Sequence, residues 1–255
     1  KITLPGGTTS EYTYDPLLQL KSIGLKDLRQ NSLMAYNYAY SPIGNITSKA
    51  TEHGSYTYQY DKLYRLTEAT NAAAPNESYT YDPLGNRLSS ASVEGAWSYN
   101  QNNELLGYDG VSFEYDGNGN LVQKTDGKGR TTYTYDESDR LVEVTTGNSQ
   151  RTTYYYDPFG KRLWKEVNGI RTYFFYSDEG LVGEYDAYGR EIKTYGYVPD
   201  SYWTTNPLFQ KIGPNYYWYQ NDHLGTPQKI VDTTGRVVWS ATYDSFGNIQ
   251  ILIAE

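Results

Sequence analysis

The chain reads as all-β: tandem β-hairpins side by side in one continuous, coiled antiparallel sheet. Three observations predict this. A signature of alternating aromatics followed by Asp, a turn and Gly recurs at steps of 20 or 21 residues, as at Tyr40, Tyr60 and Tyr81 and again at Tyr115, Tyr135, Tyr156 and Tyr176. A fixed short period is the mark of a repeat array in which each unit buries its face only against its neighbours. The turn chemistry within each period is that of a hairpin. No segment sustains a helical spacing; Leu17 to Met34 comes nearest and is interrupted by Gly24.

One repeat shows the logic. In Tyr79-Thr80-Tyr81 the two rings fall on the same face of a strand, because side chains alternate with a period of two. Asp82-Pro83-Leu84-Gly85 then suits a type I turn: Asp at the first position, Pro presetting φ at the second, Gly at the fourth. A left-handed Gly with a bulge returns the chain as a hairpin. The structural signature residues on this reading are Tyr79, Tyr81, Asp82 and Gly85, then Tyr115, Asp116 and Gly119, Tyr135 and Asp136, Tyr156, Asp157 and Gly160, and Tyr243, Asp244 and Gly247. Three segments follow: a hairpin array over 1–194, an irregular Pro-rich excursion over 195–216 (Pro199, Pro207, Pro214), and terminal repeats over 217–255.

Composition sharpens the picture. Leu, Ile, Val and Phe make up 48 of 255 residues, a share that with a net charge of -8 ordinarily points to disorder. Thirty tyrosines reverse that reading, since each buries a ring while its hydroxyl finds water or a backbone partner. An acidic chain does not suit a nucleic-acid partner. No apolar run is long enough to span a bilayer as a helix. The start at Lys1 and the finish at Ile251-Leu252-Ile253-Ala254-Glu255 read as those of a piece of a longer array.

Candidate chemistry is sparse, and catalytic, metal and cofactor sites are all expected to be absent. Asp116-Gly117-Asn118-Gly119-Asn120 opens like a calcium loop, but Leu121 stands where Gly is needed and Gly127 where Glu is needed. Cysteine is absent, and the two histidines, His53 and His223, lie 170 residues apart, which argues against zinc. Asp222-His223 beside Thr226 lacks a positioned nucleophile and oxyanion donors, so the chain is not expected to be an enzyme. The repeated aspartates sit in like contexts and suit turn capping rather than paired acid–base work. Exposed aromatics leave glycan stacking as an alternative role, that of a wall-associated adhesin.

These motifs resemble the Rhs/YD-repeat family of bacterial polymorphic toxins, whose relatives include the B and C components of insecticidal toxin complexes and the animal teneurins. The most specific stretch is Asn221-Asp222-His223-Leu224-Gly225-Thr226-Pro227, with Asp232 to Trp239 and Tyr243 to Asn248 following. It is similar to the last part of the Rhs core. The resemblance implies a β-spiral shell that encloses a C-terminal toxin, in a secreted or cell-surface protein. The implied partners are the remainder of the polypeptide, its toxin cargo, and other copies through open sheet edges. Residues 1–255 stop before the region where self-cleavage and toxin are expected.

Overall fold

The computed structural model describes residues 1–72, 74–93 and 95–254, and these form strands, turns and loops without a helix. Twenty-five strands, numbered β1 to β25 in chain order, are found among the described residues. Each pairs with its neighbours in sequence, in a nine-stranded sheet from β1 to β9 and a sixteen-stranded sheet from β10 to β25. The strand pairings are antiparallel, as hairpin connections require.

The turn explains the register. Between β8 (Ala74–Tyr81) and β9 (Arg87–Ser90), the Gly85 amide donates to the Asp82 carbonyl at 3.1 Å and the Asp82 amide to the Asn86 carbonyl at 2.9 Å. Gly85 takes φ 96°, and the pairing slips by one residue between Thr80 and Tyr81. That is a type I turn closed by a bulge. The Asp82 carboxylate completes it, with Oδ1 accepting the amides of Leu84 and Asn86 at 2.9 and 2.8 Å. Asp116, Asp136, Asp157 and Asp244 cap their own turns in the same way.

Two features depart from the sequence reading. Among the described residues the array runs as two sheets where one continuous sheet was expected. Among the described residues the ladder stops after Ser90, followed by an isolated bridge from Ser90 to Val93 and a bond from the Trp97 amide to the Leu88 carbonyl before β10 (Ser98–Tyr99). Residues 91–97 lack the Tyr-Asp turn signature that sets the register elsewhere. The region 195–216 is also mostly strand, in correction of the irregular excursion expected there. β20 (Glu191–Tyr197), β21 (Pro207–Ile212) and β22 (Asn215–Asn221) occupy it, leaving a loop over 198–206. Pro207 heads its strand and Pro214 sits in the following turn, positions where a missing N–H costs no ladder bond.

The chain forms two compact units. The first comprises residues 1–78, 176–182 and 193–255. Its core joins Leu4, Ile23, Leu25, Met34, Tyr36 and Tyr38 to Val231, with Leu208, Trp218 and Val237 packed alongside. The early strands thus bury their apolar face against the late ones, and Ser10 Oγ donates to Gln220 Oε1 across that contact at 2.9 Å.

The second unit comprises residues 79–175 and 183–192. Here Tyr79 and Phe174 are the buried large apolar side chains among the described residues. Guanidinium groups cover the rings: Arg162 lies 4.7 Å over Phe174 and 5.4 Å over Tyr154, and Arg87 lies 4.1 Å over Trp97. Cation–π contact with long aliphatic stems gives this sheet a half-wet face.

Candidate functional site

The repeat signature does not converge on one point; it is spread along the array as a set of clasps. The Asp half holds the turn, as above. The Tyr half, whose role the sequence reading left open, ties each turn to the preceding hairpin. Tyr40, Tyr60, Tyr115, Tyr135, Tyr156 and Tyr243 donate their hydroxyls to the carbonyls of Leu20, Ile46, Leu105, Leu121, Leu141 and Pro227 at 2.7–3.1 Å. Each acceptor opens the strand that follows a turn. Adjacent residues of the Tyr-Asp pair therefore make bonds of opposite reach, one between hairpins and one within a turn.

The C-terminal motif is where the first unit gathers its polar groups. Asp222 turns the chain from β22 into β23 (Pro227–Asp232), with Oδ1 accepting the amides of Leu224 and Thr226 at 2.9 and 3.0 Å. Asn221 replaces the usual tyrosine, and its Nδ2 donates to the Pro207 carbonyl at 2.9 Å. Gly225 lies so close to Asn206 that an added Cβ would sit 2.7 Å from the Asn206 Oδ1. Pro227 supplies the carbonyl that Tyr243 clasps.

This turn closes a cavity of about 280 Å³ whose other wall is the tyrosine face of β4 (Ser32–Tyr40), β5 (Ile46–Thr51) and β6 (Gly54–Tyr60). Asp222, His223, Leu224 and Thr226 line it opposite Tyr36, Tyr56, Tyr58 and Tyr60. His53 also lines it, so the two histidines that sequence separation seemed to keep apart share one cavity. Separation along the chain carries no information once late strands pack on early ones. Among the described residues no group of three or more His, Asp and Glu is placed to hold a metal ion.

The electrostatics are those of a partly dried site. Burial pushes the Tyr36 and Tyr58 hydroxyls well above the ordinary phenol range, with Glu52 adding to the first and Tyr56 to the second. Tyr36 Oη donates to Gln228 Oε1 at 2.9 Å, and Gln228 Nε2 donates to Asp222 Oδ2 at 3.2 Å. Burial lowers the Lys49 ammonium, against the opposing pull of Asp222 and Glu77. Its Nζ lies 4.7 Å from the Tyr56 ring and 5.8 Å from Tyr36. His223 packs on Tyr38 with ring centroids 4.9 Å apart, and burial lowers its pKa, Asp222 opposing and Lys49 assisting. Ion pairing also bridges the two walls, with Lys229 Nζ 2.7 Å from Glu52 Oε1. Lys49, Glu77 and Gln228 carry no motif and were not singled out from sequence.

Geometry of this kind defines a repeat-built antiparallel β-array, clasped hairpin to hairpin, whose last motif lines a cavity with the early strands of the first unit. The teneurin YD-shell family pattern matches residues 7–251, and the chain belongs to that family. Double-stranded DNA deaminase toxin A of Burkholderia cenocepacia is 28% identical over 282 residues, covering 96% of this chain and 20% of that protein. The tRNA nuclease WapA of Bacillus subtilis is 34% identical over 150 residues, covering 57% of this chain and 6% of that protein. Toxin protein Tse5 of Pseudomonas aeruginosa is 23% identical and covers 96% of this chain and 22% of its own length. Among solved structures, a Photorhabdus luminescens Tc holotoxin pore superposes with a TM-score of 0.74 at 16% identity, over 96% of this chain and 15% of that one. A TcdB2-TccC3 complex gives 0.59 at 16% identity, over 99% of this chain and 16% of that one. The chain thus spans less than a quarter of each of these proteins.

Proposed function

We propose that residues 1–255 are wall, not toxin: a non-enzymatic part of the shell of a secreted Rhs-type polymorphic toxin that houses a C-terminal toxic domain encoded outside this stretch. The observation that carries the reading is the YD-shell match over residues 7–251 together with toxin relatives several times longer than this chain. The clasp chemistry supports it. Every capped turn and tied carbonyl serves continuity of the sheet, and a wall around an unfolded or partly folded cargo needs continuity above all.

The test is protease protection in the native full-length protein carrying a reporter in place of the toxic domain. The reporter should survive limited proteolysis behind the intact wall and be degraded when residues 7–251 are deleted. Equal digestion of the two proteins would end the encapsulation reading.

A further inference from the structure

Lys49 is a half-buried lysine that its surroundings leave unpaired. Lys229 in the same unit shows the ordinary solution, with its Nζ 2.7 Å from Glu52 Oε1. Lys49 Nζ instead lies over two rings, 4.7 Å from the Tyr56 centroid and 5.8 Å from that of Tyr36. Asp222 and Glu77 attract it from a distance, but both carboxylates are engaged by other donors. Asp222 accepts the amides of Leu224 and Thr226 and the Gln228 side chain, and Glu77 Oε2 accepts the Ser245 amide at 3.0 Å. Among the described residues Lys49 Nζ makes no hydrogen bond or ion pair.

The amine borders open space. Lys49 lines the cavity of about 280 Å³ that lies between β4–β6 and the Asp222 turn. That volume falls just below the roughly 300–1,000 Å³ usual for ligand pockets, so it admits one small ring and excludes an oligomer. The rings of Tyr36, Tyr56 and Tyr58 give it a flat, largely apolar lining.

A lysine dried by such surroundings and held by no counter-ion is more often the free amine, which is the nucleophile. Burial moves Lys49 in this direction, with Asp222 and Glu77 opposing. Because those two carboxylates share the lining, a free anion is disfavoured as the occupant and an uncharged electrophile is not.

We propose that Lys49 is an imine-forming lysine and that this cavity captures a small aromatic aldehyde. The amine nitrogen attacks the carbonyl carbon, and a C–N bond forms. The carbonyl oxygen then departs as water with both amine hydrogens, leaving a C=N bond. No oxidant or reductant is consumed. His53 and His223 line the same cavity as proton carriers for the departing oxygen. The product is a stoichiometric adduct, not a turnover reaction, and it sits between early strands and the late turn.

The experiment is reductive trapping on the native 255-residue chain with 4-hydroxybenzaldehyde and cyanoborohydride at neutral pH, read by peptide mass mapping. Exposed Lys62 serves as the internal reference. In the folded chain Lys49 should be alkylated at least about 10-fold faster than Lys62, and in urea the two should react alike. Lys49→Arg should lose the fast adduct while keeping the wild-type circular dichroism and the slow labelling of Lys62. Labelling of Lys49 no faster than that of Lys62 in the folded chain would overturn the proposal. So would a rate advantage that persists in urea, since the cavity would then have no part in it, or a fast adduct that Lys49→Arg retains.

Discussion

The Tyr60 hydroxyl donates to the Ile46 carbonyl at 2.8 Å, reaching back across the sheet to the start of the preceding hairpin's return strand. Its neighbour Asp61 reaches the other way, with Oδ1 accepting the amides of Leu63 and Arg65 at 2.8 and 3.0 Å. A bulged turn leaves a carbonyl without a ladder partner, and buried backbone acceptors must be paired. The Tyr-Asp dipeptide solves both problems at once, which gives a physical reason for its recurrence.

Removing one clasp should therefore be measurable. Tyr60→Phe keeps the ring and deletes the donor, and we expect a loss of about 1 kcal/mol, the usual worth of one such bond. The denaturant midpoint should fall with an unchanged slope. A midpoint equal to wild type would mean that water replaces the hydroxyl without penalty.

The turn glycines have different stakes. Gly160 sits at φ 83° with no atom within 4 Å of an added Cβ, so a side chain there meets open space but the wrong backbone basin. Gly160→Ala should cost about 1 kcal/mol, and Gly160→Asn less, because Asn tolerates the left-handed region. Equal stability of both variants with wild type, by chemical denaturation, would refute the conformational origin of the preference.

Acid should act in two steps. Burial holds the His223 pKa below its ordinary value of 6.5, so folding favours the neutral ring. The unfolded chain then binds the extra proton first, and stability present above pH 6.5 declines as the pH falls below it. Turn carboxylates respond lower down. The side chain and backbone amide of Arg140 hold Asp136 below 3.8, so its contribution is lost only beneath that value. His223→Gln should flatten the upper step and leave the lower one; a stability profile with the upper step intact would assign it elsewhere.

β25 (Ile249–Ala254) ends the sixteen-stranded sheet with all six residues exposed, Ile251 at 55%. An uncharged apolar edge strand with open N–H and C=O groups pairs readily with other strands. Light scattering at tens of micromolar should show association of the 255-residue chain, reduced by Ile251→Lys. A wild-type chain that stays monomeric would show that this edge is protected.

What could be read from residue order was local. The period, the Asp-x-x-Gly turns and the placement of both tyrosines of a triplet on one face all follow from steric preferences over a few residues, and a repeat array is mostly local contacts. Even the strands around Pro207 and Pro214 were misread only because a proline at a strand start looks, in sequence, like one that breaks a strand. Tertiary structure decided the rest. Whether Tyr36 and Tyr38 face water or Val231, whether His53 and His223 share a cavity, and which carbonyl receives the Tyr60 hydroxyl depend on late strands packing on early ones in the first unit. Those contacts join residues up to about two hundred positions apart, as Tyr36 with Gln228 and Ser10 with Gln220. Non-directional burial of apolar faces brings such residues together, and it leaves no periodic trace in the sequence.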